Sequence, residues 1–251
     1  MDWLPFSPDL LALVFAALFL GGLVKGTVGV GLPLVVVSLL GSFLNPKLAV
    51  VLVALPVVVA NVWQCVRSGV AIEAFRRFWP LIFFFVVFTW VGAQLLASMR
   101  TDLLLGVLGM IVVCFSLLTL VQPDFRLTPR YERVAGPGVG VFAGLLNGVS
   151  TVNGPPLIMY LVALGLRKDN FIGSYGLIAL AGSVPLVLSY IGVGLMGTAE
   201  FGASALALVP ALAGVVVGER LRKRIDANLF RKVLLAVLIV LGLNLIRRGL
   251  W

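Results

Sequence analysis

The chain has 251 residues, of which 61% are hydrophobic and 12% charged, with a mean hydropathy of +1.15 and a formal net charge of +9. Soluble domains carry about 25% charged residues, so the composition excludes a soluble globular or disordered protein and indicates an integral membrane protein. The basic excess, which in a soluble chain would point to nucleic acid, falls in short loops and reads as a topology signal, while the lack of histidine and the two intra-span cysteines, Cys65 and Cys114, leave no disulfide framework, metal site or other cofactor to expect.

The N-terminus, Met1-Asp2-Trp3-Leu4-Pro5, has neither a basic region nor a small-residue cleavage site, so no removable signal peptide is expected. Two apolar arms follow, Leu10–Val24 and Pro33–Leu44, which as helices would be only about 22 and 18 Å long. Between them Gly22-Leu23-Val24-Lys25-Gly26-Thr27-Val28-Gly29-Val30-Gly31-Leu32-Pro33 combines glycines, one lysine and a proline. Backbone that leaves its helix at membrane depth lacks water partners, and is tolerated only inside protein or beside a wet cavity. The spacing therefore predicts a re-entrant hairpin with its tip near mid-membrane, followed by three crossing helices at Leu48–Val66, Phe78–Met99 and Leu103–Val121.

After a basic connector the pattern returns. Gly144-Leu145-Leu146-Asn147-Gly148-Val149-Ser150-Thr151-Val152-Asn153-Gly154-Pro155 puts Gly144 on Gly22, Asn147 on Lys25, Gly148 on Gly26 and Pro155 on Pro33. Its arms are read as Val139–Leu146 and Pro155–Leu166, and its crossing helices as Phe171–Met196, Phe201–Gly218 and Phe230–Ile246. Glu73 and Glu200 follow glycine turns at Gly69 and Gly197 and read as solvated caps. Val91-Gly92-Ala93-Gln94-Leu95 aligns with Val217-Gly218-Glu219-Arg220-Leu221. The expected fold is an all-α polytopic membrane protein of two inverted repeats, each a re-entrant or broken helical hairpin plus three transmembrane helices. Residues 1–121 form the first repeat, 122–136 a cytoplasmic connector and 137–251 the second repeat.

Charge supports that topology. With each hairpin returning to the side it enters, one face collects 14 of the lysines and arginines and the other 4, namely Lys47, Arg100, Arg247 and Arg248. With each hairpin as one long crossing helix the tally would be 8 against 10. Basic residues prefer cytoplasmic loops, so the basic loops are expected in the cytoplasm and both termini outside.

Paired interrupted segments in two halves mark a transporter's substrate site. The start of each second arm offers backbone N–H groups and the positive end of a half-helix dipole, both suited to an anion. The expected substrate-binding set is Lys25, Thr27, Gly29, Gly31, Asn147, Ser150, Thr151, Asn153 and Gly154. Lys25 is the one ionisable residue between Leu10 and Leu44, and an intramembrane charge is a functional-site hypothesis; a lysine snorkelling to the surface is the alternative. Gly22-Leu23-Val24-Lys25-Gly26 and Gly144-Leu145-Leu146-Asn147-Gly148 have the small-xxx-small spacing of close helix packing, which accounts for Gly22 and Gly144, while the glycines nearer the prolines suit a ligand better. Asn61, Gln64, Gln94 and Tyr190 could line a pathway or bond between helices. No nucleophile–base pair, paired acids or metal motif is present, so no catalytic residue is expected.

The duplicated glycine-rich segment ending in proline, the turns at Gly69 and Gly197, and Gly92 and Gly218 resemble the TauE/SafE sulfite-exporter family of four-plus-four repeat membrane proteins. The resemblance implies a carrier of the bacterial inner membrane for small sulfur anions such as sulfite or organosulfonates, with the lipid bilayer as its surroundings and no nucleic acid as partner. The family's glycine cluster before the proline is reduced here to Gly29-Val30-Gly31-Leu32 and Thr151-Val152-Asn153-Gly154, which leaves the ligand open. An anion channel, a non-transporting assembly factor and a homo-oligomeric state are each compatible with the sequence.

Overall fold

The computed structural model describes residues 8–69, 71–121, 126–166, 168–222 and 227–250. They form α1 (Pro8–Val28), α2 (Leu32–Gly41), α3 (Pro46–Leu52), α4 (Ala54–Ser68), α5 (Ala71–Ser98), α6 (Thr101–Val121), α7 (Pro129–Ser150), α8 (Gly154–Ala163), α9 (Lys168–Gly192), α10 (Thr198–Leu206), α11 (Leu208–Leu221) and α12 (Ala227–Leu250). There is no strand among the described residues, and six helical segments are long and apolar enough to cross a membrane: Leu10–Val28, Pro46–Arg67, Ala71–Ser98, Thr101–Val121, Asn170–Gly192 and Thr198–Leu221. The protein is an all-α, multi-pass membrane protein.

The two arms of each interrupted segment are unequal, which corrects the expectation of two short ones. Helix α1 has 21 residues and α7 has 22, about 32 Å each at 1.5 Å per residue and so long enough to span. Helices α2 and α8 have 10 residues each, about 15 Å. The glycines at 22, 26, 144 and 148 do not break α1 and α7, because each packs against the backbone of a neighbouring helix, and small residues that let backbones approach are how membrane helices associate. Helix α7 also opens at Pro129, inside the stretch read as connector; 122–125 lie outside the described residues.

The breaks recur at a constant displacement. Helices α1 and α7 end at Val28 and Ser150, α2 and α8 begin at Leu32 and Gly154 and end at Gly41 and Ala163, each pair 122 residues apart. Further on, Gly69 and Gly194 both take positive φ, 69° and 73°. Gly197, at φ −83°, is therefore not the turn residue expected from the sequence; Gly194 is. Glu200 accepts a hydrogen bond from the Gly197 N–H at 3.0 Å, capping α10 as expected.

The chain forms two compact units, and each draws on both sequence halves. Unit 1 holds Met1–Pro56, Met99–Gln122 and Leu195–Trp251; unit 2 holds Val57–Ser98 and Pro123–Gly194. In unit 1, α1 packs along α11 and α6 along α12. Gly22 and Gly26 face the backbone of Ala211, Val215 and Gly218, while Gly214 and Gly218 face Phe19 and Leu23. In unit 2, α5 packs along α7 and α9. Gly140, Gly144 and Gly148, one per turn of α7, face the carbonyls of Leu81, Phe85 and Thr89 on α5, and Gly92 returns the contact to Leu145 and Gly148.

Candidate functional site

The first break lies in unit 1. Helix α1 closes with the Gly29 N–H bonded to the Lys25 carbonyl at 2.8 Å. Gly29 and Gly31 then take φ 92° and 103°, a left-handed region that L-residues rarely occupy, which favours glycine at both. Gly31 caps α2 and its carbonyl accepts the Val35 N–H at 3.0 Å. The N–H groups of Leu32 and Leu34 precede that bond and have no partner within the helix, and Pro33 between them has none to offer. Gly21 on α1 lies against Leu32 and Val36, and Gly31 against Val24, so α2 folds back antiparallel along the last turns of α1. Lys25 and Thr27 are both buried at 7% exposure. Thr27 donates its hydroxyl proton into α1, to Leu23 O at 2.8 Å and Val24 O at 3.0 Å, which leaves it only acceptor capacity toward a ligand.

The second break, in unit 2, has the same backbone closure with different side chains. The Thr151 N–H bonds to the Asn147 carbonyl at 2.7 Å, and Thr151 takes φ 59°, the one positive φ outside glycine among the described residues. Pro155 and Pro156 leave the Gly154 N–H as the one amide donor among the first three helical positions of α8. Side chains replace the missing amides. Tyr175 Oη donates to Asn153 Oδ1 at 2.9 Å, Asn153 Nδ2 donates to Asn147 Oδ1 at 2.9 Å, Asn147 Nδ2 donates to Thr89 Oγ1 at 3.1 Å, and Thr89 Oγ1 donates to Phe85 O at 2.7 Å. The Gly182 carbonyl lies at 3.4 Å from Asn147 Nδ2. All four side chains are at most 4% exposed, and the chain of bonds ties α5, α7, the break and α9 together. Ser150 Oγ donates to Leu146 O at 2.7 Å and accepts from the Val152 N–H at 3.2 Å, while the Thr151 hydroxyl donates to the Ser150 carbonyl.

Of the sequence-predicted residues, Lys25, Thr27, Gly29 and Gly31 gather at the first break, and Asn147, Ser150, Thr151, Asn153 and Gly154 at the second. The expected pathway residues divide. Tyr190 donates to the Gly148 carbonyl at 2.8 Å, holding α7 to α9, and Gln64 donates to Ile172 O at 3.1 Å, holding α4 to α9. Asn61 is buried on α4, whereas Gln94 stands on the exposed side of α5. Thr89 and Tyr175 escaped the sequence reading; the one signal in the chain was a polar side chain within an otherwise apolar span.

Because the members of a buried polar network depend on one another, Tyr175→Phe is expected to leave Asn153 Oδ1 without its donor and to lower stability by about 1–3 kcal/mol. Thermal unfolding of the detergent-purified variant measures this, and an unchanged midpoint would show that Tyr175 does not hold the second break.

The family described as Sulfite exporter TauE/SafE matches residues 14–245 of the chain, a span that takes in both breaks and all but the outermost residues. No curated protein and no solved structure matches it.

Proposed function

Because the chain belongs to the sulfite exporter TauE/SafE family, we propose that it carries small sulfur oxyanions, sulfite or an organosulfonate, across the membrane, and that each break is an anion-binding element. The observation that supports this most is the recurrence of the broken helix: the same closure, the same half-length second helix and a proline in its first turn, 122 residues apart. Paired broken helices of this kind form substrate sites in secondary carriers.

The first break supplies the charge. Lys25, Gly29, Gly31 and the amides of Leu32 and Leu34 provide one cation and a helix N-terminus, the combination that binds anions elsewhere. Thr27 contributes an acceptor, which suits a substrate bearing a hydroxyl. The second break supplies neutral polar groups: Asn147, Ser150, Thr151, Asn153 and the Gly154 amide. Its more polar character fits an organosulfonate with an added hydroxyl or carboxylate.

Transport then proceeds by alternating access of two inverted halves. Export is the natural direction, because an inside-negative potential drives an anion outward by about 2.3 kcal/mol per charge per 100 mV. The setting is the bacterial inner membrane, with the basic loops cytoplasmic and the termini periplasmic, a placement supported by the uneven distribution of lysine and arginine.

Counterflow decides among the readings. Proteoliposomes preloaded with unlabelled sulfite are expected to accumulate labelled sulfite transiently and saturably. Flux that is linear in concentration and shows no counterflow would make the protein a channel, and absence of protein-dependent flux for sulfite and for a carboxylated sulfonate alike would remove the transport reading.

A further inference from the structure

Unit 2 carries a second basic feature, away from the break. A cavity of about 720 Å³ opens between the first turns of α5 and α7 and the side of α8, lined by Arg76, Arg77, Trp79, Leu81, Arg133 and Tyr160 among others. Its volume lies in the range of small-molecule sites, about 300–1,000 Å³.

One wall is internally satisfied. Arg77 forks onto the Glu132 carboxylate, with Nε at 2.6 Å and Nη2 at 3.0 Å, and Tyr160 Oη donates to the Glu132 carbonyl at 3.1 Å. Phe78 packs edge-on against Tyr160 with centroids 6.2 Å apart. That wall is rigid, and its charges cancel. The other two guanidiniums, on Arg76 and Arg133, are exposed at the cavity, and no acidic side chain among the described residues pairs with either. The cavity therefore presents two uncompensated arginines, the residue type whose planar fork matches a phosphate.

The position of the cavity along α5 selects the ligand. Arg76 and Arg77 are followed by an uncharged run, Phe78–Ser98, whose 21 helical residues span about 31 Å, the thickness of a hydrocarbon core. The arginines thus sit at the headgroup level and Phe78, Pro80 and Leu81 at the start of the acyl region. Trp79, 58% exposed, is the residue type that concentrates at that boundary. A free oxyanion would use the arginines and leave the apolar half of the cavity empty; a phospholipid uses both.

We propose that this cavity binds the phosphate of an anionic phospholipid, with Arg76 and Arg133 on the headgroup and the apolar wall of α5 along the first acyl methylenes. The site is separate from the proposed transport site and stands or falls without it.

The test is thermal unfolding of the purified protein in a neutral detergent, titrated with short-chain phosphatidylglycerol, short-chain phosphatidylcholine or inorganic phosphate. Phosphatidylglycerol is expected to raise the midpoint, and the Arg76→Gln/Arg133→Gln protein to need about 30-fold more of it, at roughly 1 kcal/mol per basic residue near an anionic surface. An unchanged response of that variant overturns the proposal. So do equal shifts with phosphatidylglycerol and phosphatidylcholine, an outcome read on the unmodified protein alone should the variant fail to fold. A shift produced by inorganic phosphate alone assigns the arginines to a soluble anion and overturns it as well.

Discussion

Replacing Lys25 with alanine is expected to abolish or sharply weaken saturable sulfite flux while leaving the protein in the membrane. Lys25 lies within the apolar span Leu10–Val28, is 7% exposed, and its carbonyl closes α1 directly before the break. A hydrogen bond to a charged group contributes about 1.5–3 kcal/mol, and its loss corresponds to a 10- to 100-fold weaker anion affinity. The unfolding midpoint of the same variant tells whether the substitution acts on binding or on the fold. Transport lost at an unchanged midpoint marks a binding role, and transport lost together with a lowered midpoint marks a structural one. Initial rates in proteoliposomes across a range of sulfite concentrations, with the unfolding midpoint of the same preparation, provide the check. Arginine at 25 should retain part of the activity. Wild-type rates for the alanine variant would remove Lys25 from the site.

The largest effect on stability is expected from Gly148→Ala. A methyl group there would run into the Thr89 carbonyl and the backbone of Gly92 and Ala93 on α5. None of these atoms belongs to a side chain that could rotate away, so α5 and α7 must separate. Overpacking costs about 1–3 kcal/mol where side chains can adjust, and here the figure should lie at the top of that range or above. The same α7 provides the control. Gly138 is exposed and has nothing within 4 Å of where a Cβ would stand, so Gly138→Ala should stabilise the helix by up to about 1 kcal/mol through propensity alone. Denaturant or thermal unfolding of both variants measures the contrast; equal behaviour would mean that the α5–α7 seam is looser than its geometry implies.

Gly148 also marks where the sequence was ambiguous. The apolar spans were legible because the hydrocarbon core sets a length, and α6 and α9 fall close to their expected limits. The position of both breaks was legible because proline and consecutive glycines punctuate a chain strongly. Gly22 and Gly144 read as packing residues from their spacing and do pack on α11 and α5, but where the arm ends was harder: a glycine either ends a helix or lets another approach it, and the partner that decides lies far along the chain. Hence the arms were expected short, while α1 and α7 run on to full length. Gly197 looks like the turn residue in the sequence because position alone does not report φ; the positive φ falls at Gly194. The polar chain from Tyr175 through Asn153 and Asn147 to Thr89 was only half legible. Its two asparagines stood in the repeated segment, but hydrogen bonds between helices distant in sequence leave no local pattern.

The pairing of α1 with α11 has a consequence for how the protein is made. Gly22 reaches its place against Ala211 only after nearly the whole polypeptide has left the ribosome, which at about 5–20 residues per second is on the order of ten seconds or more. Helix α5 can meet α7 well before that. Translation order thus pairs α5 with α7 early and leaves the glycine face of α1 without its partner until the last quarter of the chain arrives. A nascent chain stalled in that interval presents a helix with an unfilled packing seam, so premature termination before α11 should be cleared from the cell rather than accumulate.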